Sequence, residues 1–71
     1  MNNLQKIRMS RGLNQQELSR LTGIKTRTIG SWERNEHDLG QAAYSSVIRL
    51  AEVLGVAPED FFERGDLDER T

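Results

Sequence analysis

The chain has no cysteine. No disulfide can staple it, no thiolate can hold zinc, and no cysteine nucleophile exists. That fits a reducing compartment, and the expectation is a cytoplasmic protein. No apolar run approaches the roughly 18 residues of a membrane span. The opening Met1-Asn2-Asn3-Leu4-Gln5-Lys6 has no signal-peptide apolar core behind it. A soluble protein with no membrane partner is expected. Strand signals are also missing: there is no alternating β-branched run and no Asn-Gly or Asp-Gly hairpin turn. The four aromatic residues are too few for a stacking surface of the kind that binds single-stranded RNA.

What is present must work within 71 residues, enough for one domain and one modest core. Such a domain uses nearly every apolar side chain, or gains stability from a partner. Charge is plentiful and unevenly placed. Residues 1–34 carry seven Lys and Arg against Glu17 and Glu33, a net +5. Residues 35–71 carry three Arg against nine Asp and Glu, a net −6. The total is −1, yet a basic front and an acidic back orient a soluble molecule toward a polyanion. The plainer reading is that the halves differ by chance.

Helical spacing recurs along the chain. Leu4 and Ile7 mark a first helix, capped by Asn2 or Asn3 and ended by Gly12. Asn14 and Glu17 form a capping-box pattern for a second, with Leu18 and Leu21 on one face and Gly23 as its stop. A third starts at Lys25 or Thr26, buries Ile29 and Trp32, and runs out near Asn35, which tolerates left-handed geometry. Residues 35–43 form a polar connection, in which Asp38 and Gln41 have the spacing to cap an early start of the next helix. Tyr44, Val47, Leu50, Ala51 and Leu54 form the stripe of a fourth helix closed by Gly55, and Pro58 opens a short fifth with Phe61 and Phe62. The expectation is an all-α, five-helix domain over residues 1–64, with a charged tail at 65–71 that frays.

The informative stretch is Gly12 to Arg34, GLNQQELSRLTGIKTRTIGSWER. Two helices of about eight residues are separated by Gly23-Ile24-Lys25, and so short a link forces a steep crossing. Leu18, Leu21, Ile24, Ile29 and Trp32 can then close one small core. The other side of the third helix carries Thr26, Arg27, Gly30 and Ser31, a thin, polar, basic face of the kind that fits the DNA major groove.

This stretch resembles the phage repressor and Cro type of helix-turn-helix, the Xre family. The matching residues are Ile7-Arg8, Gly12 through Leu18, Gly23-Ile24, Ile29, Trp32-Glu33-Arg34, Leu50-Ala51 and Leu54-Gly55-Val56, so the likeness covers residues 4 to about 62. It implies a lambda-repressor-like fold with helices 2 and 3 as the helix-turn-helix. It implies that Gln15 and Asn14 touch the DNA backbone, that Lys25, Thr28 and Arg34 do so too, and that Thr26, Arg27 and Ser31 face base edges. Arg8 and Glu33 match a structural salt bridge of the family. The chain departs from the pattern at Asn35, where glycine is usual, and in the loop that follows, which lacks proline and is about three residues longer, a change that hardly affects the fold. Gly30 costs about 1 kcal/mol relative to alanine in a helix, which suggests close approach to something.

The implied function is sequence-specific binding of double-stranded DNA as a transcriptional regulator of repressor type. A module this small offers few contacts alone, so a homodimer is expected, with Tyr44, Ile48, Phe61 and Phe62 as interface candidates. The rival is a protein-interaction module of antitoxin type on the same scaffold, with a protein partner. Catalysis has no support: Ser10, Ser19, Ser45 and Ser46 have no histidine at a motif spacing, and His37 reads as a lone loop residue rather than a metal ligand. No cofactor, metal or small-molecule substrate is indicated. Trp32 reads as core rather than as a base-stacking ring. Glu59, Asp60 and Glu63 read as a solvated face rather than a calcium site. Arg27 could be a mere surface charge, but its outward place on the third helix favours the DNA role.

Overall fold

Capping and glycine placement set the helix boundaries. A computed structural model describes residues 2–62, so the tail expected at 65–71 and the domain edge at residue 64 lie outside the described residues. Four α-helices run in order: α1 (Leu4–Ser10), α2 (Gln15–Thr22), α3 (Thr26–Glu33) and α4 (Tyr44–Leu54). The capping box at α2 forms as the sequence implies. The Asn14 side chain accepts from the Glu17 amide at 2.7 Å, and Glu17 accepts from the Asn14 amide at 2.8 Å. Gly23 and Gly55 close α2 and α4 with φ of 77° and 72°, a left-handed conformation that side chains other than glycine's disfavour. Lys25 holds the cap position of α3 with no side-chain bond, so Thr26 is the first helical residue.

The fifth helix is a single 3-10 turn, Pro58–Phe61, and a second such turn spans Leu39–Gln41. Pro58 starts its segment as expected, but the backbone extends again at Phe62, where it forms an antiparallel bridge with Asn2. The bridge ties the two ends of the described chain together, with the Asn3 amide donating to the Phe61 carbonyl at 2.6 Å and the Asn3 side chain to the Asp60 carbonyl at 3.1 Å.

The core comprises Leu4, Leu18, Ile29, Trp32, Leu39, Val47, Leu50, Ala51, Leu54 and Phe61. Five expectations are corrected here. Leu21 is 58% exposed, because the buried stripe of α2 runs from Leu18 to Thr22. Thr22 can be buried because its hydroxyl donates to the Leu18 carbonyl at 2.8 Å and accepts from the Ile24 amide at 3.2 Å. Tyr44, expected in the α4 stripe, is 76% exposed, and Leu39 from the supposedly polar link is fully buried in the core. Asp38 does cap, but it caps the Leu39–Gln41 turn through the Gly40 amide and not α4. Phe61 is fully buried, so it belongs to the core and not to a dimer interface.

Leu39→Ala should therefore lower unfolding free energy by about 2–4 kcal/mol, whereas Leu21→Ala should change it by less than about 0.5 kcal/mol. Urea melts of the two variants check this contrast, which reverses if the sequence pattern alone decided burial.

Candidate nucleic-acid interface

The orientation of α3 is set by one buried ion pair. Arg8 of α1 donates from Nε to Glu33 Oε2 at 2.7 Å and from Nη2 to Oε1 at 3.1 Å. Its Nη1 donates to the Leu13 carbonyl at 2.8 Å. Gln15 Nε2, at the start of α2, donates to the same Glu33 Oε1 at 2.9 Å. The two charged side chains keep 9% and 2% of their surface, so the pair is enclosed and bidentate. The start of α2 and the end of α3 are thereby held on α1. Asn2 adds a second tie, donating to the Trp32 carbonyl at 3.0 Å.

Successive helical residues turn by about 100°, so Arg27, Gly30, Ser31 and Arg34 share one side of α3 opposite Ile29 and Trp32. Arg27 and Arg34 are exposed on it, as is Lys25 at its start; Thr26 and Thr28 are half-buried along its flanks. Gly30 and Ser31 are buried in spite of facing this way. Gly30 answers the close approach implied by its helix penalty. A β-carbon there would lie 3.1 Å from Arg34 Nη1, so the end of that arginine would have to give by a few tenths of an ångström, while the Gln15 amide, at 3.6 Å, would be in ordinary contact. Ser31 is 8% exposed. The face is thus narrower than the sequence implies, with its small residues forming a floor between longer neighbours.

Two clefts border this floor. On the α2 side, Arg8, Asn14, Gln15, Gln16 and Thr26 line one of about 470 Å³. On the other side, Arg27, Thr28, Ser31, Trp32 and His37 line one of about 280 Å³. Gln16 and His37 were not singled out by the sequence. Gln16 could have been, since it lies in the first turn of a helix whose cap is legible.

The basic front half divides by role. Arg8 is spent on Glu33. Arg11 donates to the Leu54 carbonyl at 2.7 Å and caps α4, where a cation also suits the negative helix end. Arg34 is paired with Glu36 at 3.0 Å on the surface. The Arg34 hydrogen bond first, and its charge second, hold the Glu36 carboxyl below its ordinary range. Lys6, Arg20, Lys25 and Arg27 make no ion pair among the described residues.

A small domain in which a short, left-handed glycine turn sets α3 across α2, with the polar and basic side of α3 outward, is the architecture of a helix-turn-helix. The helix-turn-helix family model matches residues 4–61. The chain belongs to the Cro/C1-type helix-turn-helix family. This is a family of DNA-binding transcription regulators, so double-stranded DNA is the partner that membership supports, and enzymes are not typical of it. None of the curated proteins compared with the chain matches it. Among the described residues no helix is long and apolar enough to cross a membrane, and no three acidic or histidine side chains cluster as metal ligands would.

For a helix-turn-helix domain held this way, Glu33→Gln should remove about 3–5 kcal/mol of stability, because the Arg8 guanidinium is left buried without its charge partner. The double variant Arg8→Met/Glu33→Leu should lose less than that single change. Chemical denaturation of both, with circular dichroism as readout, makes the comparison.

Proposed function

We propose that this protein is a sequence-specific, repressor-like regulator that lays α3 in the major groove of double-stranded DNA and acts as a homodimer in the cytoplasm. The observation that carries the reading is the outward side of α3. An exposed, unpaired Arg27 stands beside the shallow Gly30–Ser31 floor, and the buried Arg8–Glu33 pair fixes that side relative to α2. A protruding guanidinium above a low floor suits bidentate contact with a guanine edge, worth about 1–3 kcal/mol of discrimination. Thr26 and Ser31 reach base edges from the two flanks of Arg27. Ser31 does so from the floor, so it needs a close approach of the helix. Asn14, Gln15, Lys25, Thr28 and Arg34 contact phosphates. Gln15 does so while its amide nitrogen stays on Glu33, and Arg34 must first leave Glu36.

Dimerisation would place two α3 helices in successive major grooves about 34 Å apart. Tyr44, at 76% exposure, and Ile48, one turn along α4, suit the interface, with Phe62 at the edge of a cleft of about 510 Å³ that Tyr44 also lines. The same cleft supports the second reading, a protein-interaction module of antitoxin type, since it is lined by Leu39, Ala42, Val47 and Pro58 and lies away from α3.

Selection from a pool of randomised duplexes at near-physiological salt should enrich a near-palindromic site. Arg27→Ala should then relax the preference at one base position per half-site and weaken binding by roughly ten- to a hundredfold. A protein that enriches nothing is not a stand-alone regulator. Glu36→Gln should tighten binding by a few-fold through release of Arg34, measured by anisotropy on the selected duplex. An unchanged affinity would remove Arg34 from the contact set.

A further inference from the structure

The link after α3 does not trail into solvent. Asn35 takes a left-handed conformation, φ 60°, and reverses the chain. The amides of Glu36 and His37 then both donate to the Ser31 carbonyl, at 2.9 and 3.4 Å. His37 is thereby held beside α3 and lines the cleft of about 280 Å³ with Arg27, Thr28, Ser31 and Trp32. Ser31 is 8% exposed, and its hydroxyl has no hydrogen-bond partner among the described residues. No fully buried side-chain oxygen or nitrogen is left unpaired, so this hydroxyl is one that the cleft still reaches. The cleft therefore combines a cation, two hydroxyls and an imidazole, a donor set suited to a phosphate or to another anionic oxygen.

Its place relative to α3 narrows the choice. A helix in the major groove has a phosphate backbone on either side. The α2 flank is furnished by Asn14, Gln15 and Gln16. On the opposite flank the exposed pair Arg34–Glu36 is internally neutral, and Thr28 carries no charge. We propose that His37 is the loop-borne phosphate contact on this second flank, and that it makes DNA binding proton-linked. The inference rests on the major-groove reading given above.

The charged groups around His37 are Arg27 on α3, Glu36 before it, Asp38 after it, and Arg34 through its pair with Glu36. Asp38 is turned to the Gly40 amide. A phosphate seated in the cleft would set its negative charge against the imidazole. The imidazolium is then more stable in the complex than in the free protein. Affinity must rise as pH falls through the free histidine's range and level off below it, and the gain is lost as pH rises through the histidine's range in the complex.

The test is anisotropy on the selected duplex from about pH 8 to about pH 5.5 at constant ionic strength, with wild type, His37→Gln and His37→Lys. Wild type should tighten roughly five- to tenfold as pH falls, with a salt slope steeper by about 0.9 per subunit at the low end. His37→Gln should stay flat at the wild-type high-pH affinity, and His37→Lys should bind at high pH as wild type does at low pH. Equal pH dependence in wild type and His37→Gln, with Arg27→Ala still impaired, would overturn this inference and leave the DNA reading intact. Wild type that binds no duplex at any pH would overturn both.

Discussion

The Arg8–Glu33 pair is the constraint on which the rest of the molecule depends. It joins the first helix to the last residue of the third, and through Gln15 and the Leu13 carbonyl it also fixes the start of the second. An enclosed ion pair is a weak source of net stability, because desolvation opposes the attraction. Its value lies in direction. A guanidinium fork accepts a carboxylate in one plane, so the relative rotation of α2 and α3 is specified in a way that apolar packing alone would leave looser. The small apolar core supplies the cohesion, and the ion pair supplies the angle. Gly30 lies beside the same arrangement, in ordinary contact range of the Gln15 amide and tight only against the end of Arg34.

That division of labour changes how the charge of the chain is to be read. The front half is strongly basic, but Arg8 and Arg11 are consumed inside the fold, one on a carboxylate and one on the end of α4. Arg49, from the acidic half, does the same for α2 by donating to the Thr22 carbonyl at 3.3 Å. Of the cations that remain, Lys25 and Arg27 stand at the head of α3, with Arg34 held in reserve by Glu36, while Lys6 and Arg20 lie on α1 and α2. A surface of this kind binds through a few directed contacts rather than through a broad basic field, which suits choice among sequences more than tight binding to any of them.

Much of this was legible beforehand, because local signals and global fold agree along most of the chain. The Asn14–Glu17 box, the glycine stops and the Ile29–Trp32 pair each name an element and its buried side. The Arg8–Glu33 role came from family resemblance, since nothing in the spacing of two residues far apart in sequence shows that they meet. The failures have a common cause. Leu21, Leu39 and Tyr44 were misassigned, and Thr22 was passed over, because hydrophobicity stands in poorly for burial where a polar group is satisfied locally, or where a single leucine is carried in by a turn. Thr22 hides its hydroxyl in its own helix, and Leu39 is delivered by a turn that Asp38 caps. Phe61 looked surplus because the fourth and fifth helices hold more apolar side chains than one small core would need. His37 was read as a lone loop residue and is exposed in the loop, but its place beside α3 depends on the left-handed Asn35 and on the Ser31 carbonyl.

The central claim is that the outward side of α3, held by Arg8 and Glu33, is the surface that meets DNA. Titrating the isotopically labelled protein with its selected duplex, and following backbone amide resonances, tests it most directly. The account predicts that the largest shifts fall on Asn14 to Gln16, on Lys25 to Ser31, on Arg34 and on His37, with smaller changes elsewhere. Shifts concentrated around Tyr44, Val47 and Phe62, with α3 unmoved, would contradict it and would make the apolar cleft, not the helix-turn-helix, the working face of the molecule.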